Sequence, residues 1–162
     1  MIPVKADAFP ARDNGGTMHP YPHTYVVEAS GGPAGDLAVS SEKLPDLVAA
    51  PPAQFDGPGD RWSPETLLCA AAANCFILTF RAYARAAKFE WKALRCRTQS
   101  VLDNVGGVAQ FTRFVTHATL QVPAGTDLEK ARALMQKAED RCLVANSLKG
   151  ERHLEPVIEQ VG

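Results

Sequence analysis

The stretch Ser63-Pro64-Glu65-Thr66-Leu67-Leu68-Cys69-Ala70-Ala71-Ala72-Ala73-Asn74-Cys75-Phe76-Ile77-Leu78-Thr79-Phe80 decides how the rest of the chain must be arranged. Ser63 suits an N-cap, Pro64 fits the first helical position where no amide donor is needed, and Glu65 places negative charge where the helix dipole favours it. From Thr66 to Phe80 no charge interrupts the run, so the helix is apolar around nearly its whole circumference and is expected to be a buried central helix. It is predicted to run to about Lys88, turning amphipathic as Arg81, Arg85 and Lys88 appear. One small subunit would struggle to cover every face of such a helix, which favours a homodimer. A thiol, Cys75, lies inside it.

Upstream, residues 51–62 hold Pro51, Pro52, Pro58, Gly57 and Gly59, a stiff loop that delivers the chain to the Ser63 cap. Before it, Tyr21 to Glu28 is rich in β-branched and aromatic residues and reads as a strand. Residues 31–35, Gly-Gly-Pro-Ala-Gly, are a turn to a second strand over Asp36 to Ser40, and Leu44 to Val48 is a further short strand. Residues 1–20 carry Pro3, Pro10, Asn14-Gly15-Gly16 and Pro20 with little periodicity and read as an irregular arm, leaving 21–162 as a single domain.

Downstream, residues 91–103 switch to period two, Asp103 to Gly107 is a hairpin turn, and Val108 to Val122 is the returning strand. Phe111 and Phe114 have opposite parity there, so either both faces are partly covered or a bulge intervenes. Thr126 or Asp127 caps a second helix with Leu128, Ala131, Leu134, Met135 and Ala138 at three-four spacing, its stripe ending at Cys142. A short helical segment through Leu148 and a strand from about His153 to Val161 complete an α+β arrangement.

A formal net charge of −1 with no polybasic run argues against nucleic acid and anionic membranes as partners. The uncharged run 66–80 is too short and too rich in Ala, Asn and Cys to span a bilayer. No basic, apolar and small-residue leader pattern opens the chain, so a cytoplasmic location is expected, where the four cysteines are individual thiols rather than a disulfide framework. The spacings His19-x3-His23 and Cys69-x5-Cys75 and the lone His117 and His153 match no zinc pattern, and no metal or other cofactor is expected. Cys69 and Cys96 read as small buried hydrophobes.

Two motifs together resemble the family of osmotically induced and organic hydroperoxide resistance proteins (OsmC/Ohr). Its first long helix opens with Ser/Asn-Pro-Glu and carries a reactive cysteine ten residues after that glutamate, the spacing of Glu65 and Cys75 here. The second motif is Arg141-Cys142-Leu143-Val144-Ala145-Asn146-Ser147-Leu148, similar to the segment around the family's second cysteine. The resemblance implies antiparallel sheets packed around the long central helices of an intertwined homodimer. It also implies a thiol peroxidase in oxidative-stress defence: Cys75 attacks an organic hydroperoxide and becomes a sulfenic acid, Cys142 condenses with it, and a dithiol reductant, in the family a lipoyl group, restores the pair.

In the family an arginine near the N-terminus, oriented by the residue matching Glu65, opposes burial of the thiol. Between Tyr21 and Asp60 this chain has Lys43 and no arginine; Arg12 and Arg61 lie outside the matching position. Ten helical residues separate Glu65 from Cys75 by roughly 15 Å. If Glu65 helps to organise a thiol, either the helix is broken or, the preferred reading, Glu65 acts on the cysteine of the other subunit; otherwise it serves the helix dipole. The alternative for the whole protein is a non-catalytic module of the same fold that binds a small apolar ligand, with Cys75 not activated.

Overall fold

The computed structural model describes residues 19–162, which fall into two compact units, His19–Ala71 and Ala72–Gly162. Arg12 and all but the last two residues of the expected arm lie outside the described residues.

The first unit holds a three-stranded antiparallel sheet, β1 (Glu28–Ser30), β2 (Leu37–Ser40) and β3 (Leu47–Ala49), in that order. The hairpin about residues 31–35 is present, with Gly35 at φ 90° where a side chain would be strained. The strand expected over Tyr21 to Glu28 is corrected: pairing begins only at Glu28. β-branched and aromatic residues favour a strand only where a neighbour supplies a ladder and a surface to pack on, and Tyr25, Val26 and Val27 remain exposed.

The Pro/Gly loop folds back on itself rather than running free. A 3-10 turn at Ala53–Phe55 is closed by Gly57 N–H donating to the Pro52 carbonyl at 3.1 Å. A Cβ on Gly57 would stand 1.7 Å from the Pro51 carbonyl oxygen, so the backbone here leaves no room for a side chain. At the end of the loop the Ala50 N–H donates to the Trp62 carbonyl at 2.8 Å, bringing the chain to Ser63.

Helix α1 (Pro64–Ala86) starts at a reciprocal cap: the Thr66 N–H donates to Ser63 Oγ at 3.2 Å and the Ser63 N–H to Thr66 Oγ1 at 2.8 Å. Two orphan donors are satisfied at once, with Thr66 in the role Glu or Gln plays in the usual capping box. The helix ends two residues short of the expected Lys88, which adopts a left-handed φ of 48° while the Phe89 N–H closes onto the Ala84 carbonyl at 2.8 Å. By length and composition alone α1 could cross a bilayer. Within the protein, however, Phe76 and Phe80 are 1% and 0% exposed.

In the second unit, β4 (Ala93–Val105), β5 (Val108–Pro123) and β6 (Glu151–Val161) form a sheet in the order β4-β5-β6. Gly106 and Gly107, at φ 61° and 86°, make the two-residue β4–β5 turn whose positive φ values match strand twist. Of the two readings of Phe111 and Phe114, the bulge is realised: Val101 pairs Arg113 and Leu102 pairs Phe111, leaving Thr112 as the extra residue. The two rings, brought to neighbouring positions, have centroids 5.6 Å apart.

β6 runs parallel to β5, a departure from all-antiparallel pairing. The intervening helix α2 (Leu128–Arg141) returns the chain to the end from which β5 began, as parallel neighbours require. Pro156 is accommodated in β6 because that strand lies at the sheet edge. Asp127, not Thr126, caps α2, accepting from the Glu129 and Lys130 N–H groups at 3.0 Å each. Phe76, Phe80, Leu120, Val122, Ala131, Met135 and Ala138 form the core of this unit, with Phe80 edge-on to Trp91 at 5.4 Å. α1 is not covered all round: Leu78 is 56% exposed.

Candidate functional site

α1 presents Cys75 one turn before Thr79, so that Thr79 Oγ1 lies 3.9 Å from the sulfur on the same helix face. The opposite wall is the segment after α2. There Cys142 is the C-cap, its N–H donating to the Glu139 carbonyl at 3.3 Å, and the chain turns through Leu143 and Val144 into a 3-10 turn at Ala145–Ser147. That turn aims the Val144 N–H at Cys75 Sγ, 3.4 Å away, and the Leu143 N–H reaches the same sulfur. The Cys142 thiol completes the set by hydrogen-bonding to Cys75.

These contacts divide the two thiols electrostatically. Cys75 is held down to about 5, chiefly because the Cys142 thiol donates to it and further because the Val144, Thr79 and Leu143 donors outweigh its partial burial. Cys142 is pushed up, first by its hydrogen bond to Cys75 and then by burial, with the Cys75 and Glu139 charges adding to the effect. The pair therefore shares one proton, which stays on Cys142. Among the described residues four donors favour the Cys75 thiolate: the Cys142 thiol, the Val144 and Leu143 amides and the Thr79 hydroxyl.

Because the thiolate is the species that reacts with alkylating agents, a lowered value extends reactivity toward acid. Iodoacetamide modification of Cys75, followed by mass spectrometry, is expected to fall to half its plateau rate only near pH 5. An unperturbed thiol would do so at about pH 8.5.

Glu65 stands in the first turn of α1, in the first unit, and is not among the donors to Cys75. Its Oε2 is buried with no hydrogen-bond partner among the described residues. It borders a cavity of about 590 Å³ lined within the same unit by the Gly32–Leu37 turn, Pro51, Pro52 and Phe55. Arg61, which lies outside the family's arginine position, has its Nε on Asp36 at 3.1 Å and Nη1 on Asp60 at 3.0 Å. Cys96, on β4, is a half-buried thiol pushed up to about 11 by desolvation, as an inert packing cysteine should be. Among the described residues no group of three or more His, Cys, Asp or Glu could hold a metal ion.

Sequence reasoning missed Thr79, Val144, Glu139 and Arg152. Thr79 was legible as the i+4 neighbour of Cys75, and Glu139 as an acid four residues after Met135 on the apolar face of α2. Val144 acts through its backbone, which leaves no side-chain pattern, and Arg152 through its guanidinium, which donates to the Glu139 carbonyl and Asn146 Oδ1.

The fold is α+β, and it brings the Cys75 and Cys142 thiols into contact across a helix and a turn. The sequence profile of OsmC-like proteins matches residues 57–156, and the chain belongs to that family. An uncharacterized Bacillus subtilis protein, YmaD, is 25% identical over 107 residues, covering 64% of this chain and 71% of its own. An organic hydroperoxide resistance protein OsmC from Legionella pneumophila has a similar structure, with TM-score 0.68, 25% identity, and 86% of this chain and 98% of that chain covered. An OsmC-like protein of unknown function from Vibrio cholerae superposes with TM-score 0.76 at 14% identity, covering 83% and 99%, a likeness of fold.

Proposed function

We propose that the protein is a thiol-dependent peroxidase that reduces organic hydroperoxides through Cys75 and Cys142. The observation that supports this most directly is the donor set on Cys75, which holds it as a thiolate beside a second thiol. The thiolate attacks the terminal peroxide oxygen and the O–O bond breaks. An alkoxide leaves and takes up a proton as the alcohol, while Cys75 becomes a sulfenic acid. Cys142 then attacks the Cys75 sulfur, its proton and the sulfenic hydroxyl leave as water, and a disulfide remains. A dithiol reductant, such as a lipoyl group, returns both sulfurs to the reduced state.

Leu78, one turn along from Cys75, and Leu143, whose N–H points at the sulfur, are 56% and 58% exposed and put apolar surface beside it. That surface suits the alkyl part of an organic hydroperoxide better than hydrogen peroxide. The protein acts as a cytoplasmic homodimer, in which the covering of α1 is completed by the second copy and Glu65 serves the Cys75 of that copy. The Legionella relative is described as an organic hydroperoxide resistance protein, which agrees with this reading.

The test is the mass and free-thiol count of pre-reduced protein after one equivalent of cumene hydroperoxide or hydrogen peroxide. Loss of two thiols as a Cys75–Cys142 disulfide, faster with the organic peroxide, is expected. A full complement of unreacted thiols would instead support the ligand-binding module.

A further inference from the structure

The turn that carries the second thiol is held by two side chains that do not themselves bond to Cys75, Arg152 and Asn146. Arg152 lies on β6 opposite Phe114 of β5, on the sheet face whose Leu154 and Ile158 pack against the core that α2 shares. From there its Nη1 donates to the Glu139 carbonyl at 3.4 Å and to Asn146 Oδ1 at 2.9 Å. Asn146 ties the same turn from the other side: its Nδ2 donates to the Asp140 carbonyl at 3.2 Å and its backbone N–H to the Cys142 carbonyl at 2.9 Å.

Glu139 and Asp140 belong to the last turn of α2, where carbonyls have no partner further along the helix. A cation placed there also meets the negative end of the helix dipole. The two side chains thus link the end of α2, the 3-10 turn at Ala145–Ser147 and the start of β6. Enclosed by these links are Cys142, Leu143 and Val144, which carry the thiol and the two N–H groups that meet the Cys75 sulfur, Val144 at 3.4 Å. A lone 3-10 turn, with its poorer hydrogen-bond geometry, holds such a segment weakly. The charge-assisted bond from Arg152 to Asn146 supplies a stronger cross-link.

We propose that Arg152 and Asn146 form a clip across the turn after α2 and are positioning residues of the thiol centre, holding the Cys142 thiol and the Val144 N–H against the Cys75 sulfur. This rests on the reading of Cys75 and Cys142 as the reacting pair. Without the clip the turn spends less time with its donors on the sulfur, and the Cys75 thiolate loses their support. Cys142 is then also less often placed to close the disulfide, for which the two sulfurs must come to about 2.05 Å.

The test uses the full chain as Asn146→Ala, Arg152→Met and the double variant. Asn146 is exposed and carries no charge, so its truncation reaches Cys75 only through the turn. The pH at which iodoacetamide alkylation of Cys75 falls to half its plateau is expected to rise by about 1 unit in each single variant, a roughly tenfold slower reaction below the midpoint. Closure of the Cys75–Cys142 disulfide by diamide at neutral pH should be about tenfold slower, since small misplacements of reacting groups are costly. The double variant should move no further than the larger single one, because both changes break one cross-link. A merely structural part for the two residues would lower the urea midpoint and leave both readouts in place. Either readout unchanged in Asn146→Ala, a shift in only one single variant, or a double variant that sums the two shifts would overturn the proposal. Should Arg152→Met fail to fold, Asn146→Ala decides alone. Shifted readouts in a protein that leaves cumene hydroperoxide unconsumed would remove the peroxidase reading and keep the clip. Hydroperoxide consumed by wild type and variants alike, with unshifted readouts, would do the reverse.

Discussion

Replacing Cys75 with serine is expected to abolish consumption of cumene hydroperoxide and leave the fold unchanged. A serine hydroxyl can accept from the Val144 N–H that now meets the sulfur at 3.4 Å, so no buried donor is orphaned. The same donors cannot make it an oxyanion at neutral pH, and the attacking species is lost. Activity should fall to the uncatalysed rate in a peroxide-consumption assay, with an unchanged far-UV circular dichroism spectrum. Full turnover by Cys75→Ser would sink the assignment. The Cys142 variants sharpen this, because the Cys142 thiol is the largest single influence holding Cys75 down. Cys142→Ser keeps a donor toward Cys75 and should react once, then stop with a trapped sulfenic acid. Cys142→Ala removes the donor as well, so its first step should also be slower at neutral pH.

The largest stability effect is expected from Phe80→Ala. Phe80 is fully buried, packs edge-on against Trp91 at 5.4 Å and sits among Phe76, Leu120 and Met135 in one cluster. Truncation removes a ring's worth of apolar burial and leaves a void in a wall built from a helix and a sheet, which cannot both close on it. A loss of about 3–5 kcal/mol follows. Urea unfolding should register it as a lower midpoint with an unchanged slope, since the surface exposed on unfolding hardly alters. A loss below about 1 kcal/mol would mean that the core collapses around the gap.

The elements that were legible in the sequence are those governed by local chemistry. Ser63, Pro64 and Glu65 announced the start of α1; Gly106-Gly107 announced the β4–β5 turn; and the three-four stripe of α2 ran as expected to Cys142. The first strand was overcalled, since the extended propensity of Tyr25, Val26 and Val27 cannot form a ladder without a neighbour. The parallel β5–β6 pairing was out of reach as well, because strand direction is set by where α2 leaves the chain. Of the site, two motifs and a spacing pointed to Cys75 and Cys142, while no arginine stands at the family's position upstream.

By itself the sequence determined the buried helix, the place of a thiol on it, the second thiol at the end of α2, and the family. Only the tertiary structure decided what state those thiols are in. The pKa of a cysteine depends on donors and charges within a few ångströms, and here, Thr79 apart, they come from residues about seventy positions downstream: the Leu143 and Val144 amides and the Cys142 thiol. Backbone amides carry no mark in an amino-acid sequence, so a thiolate stabilised by them can be seen only once the turn that aims them has folded.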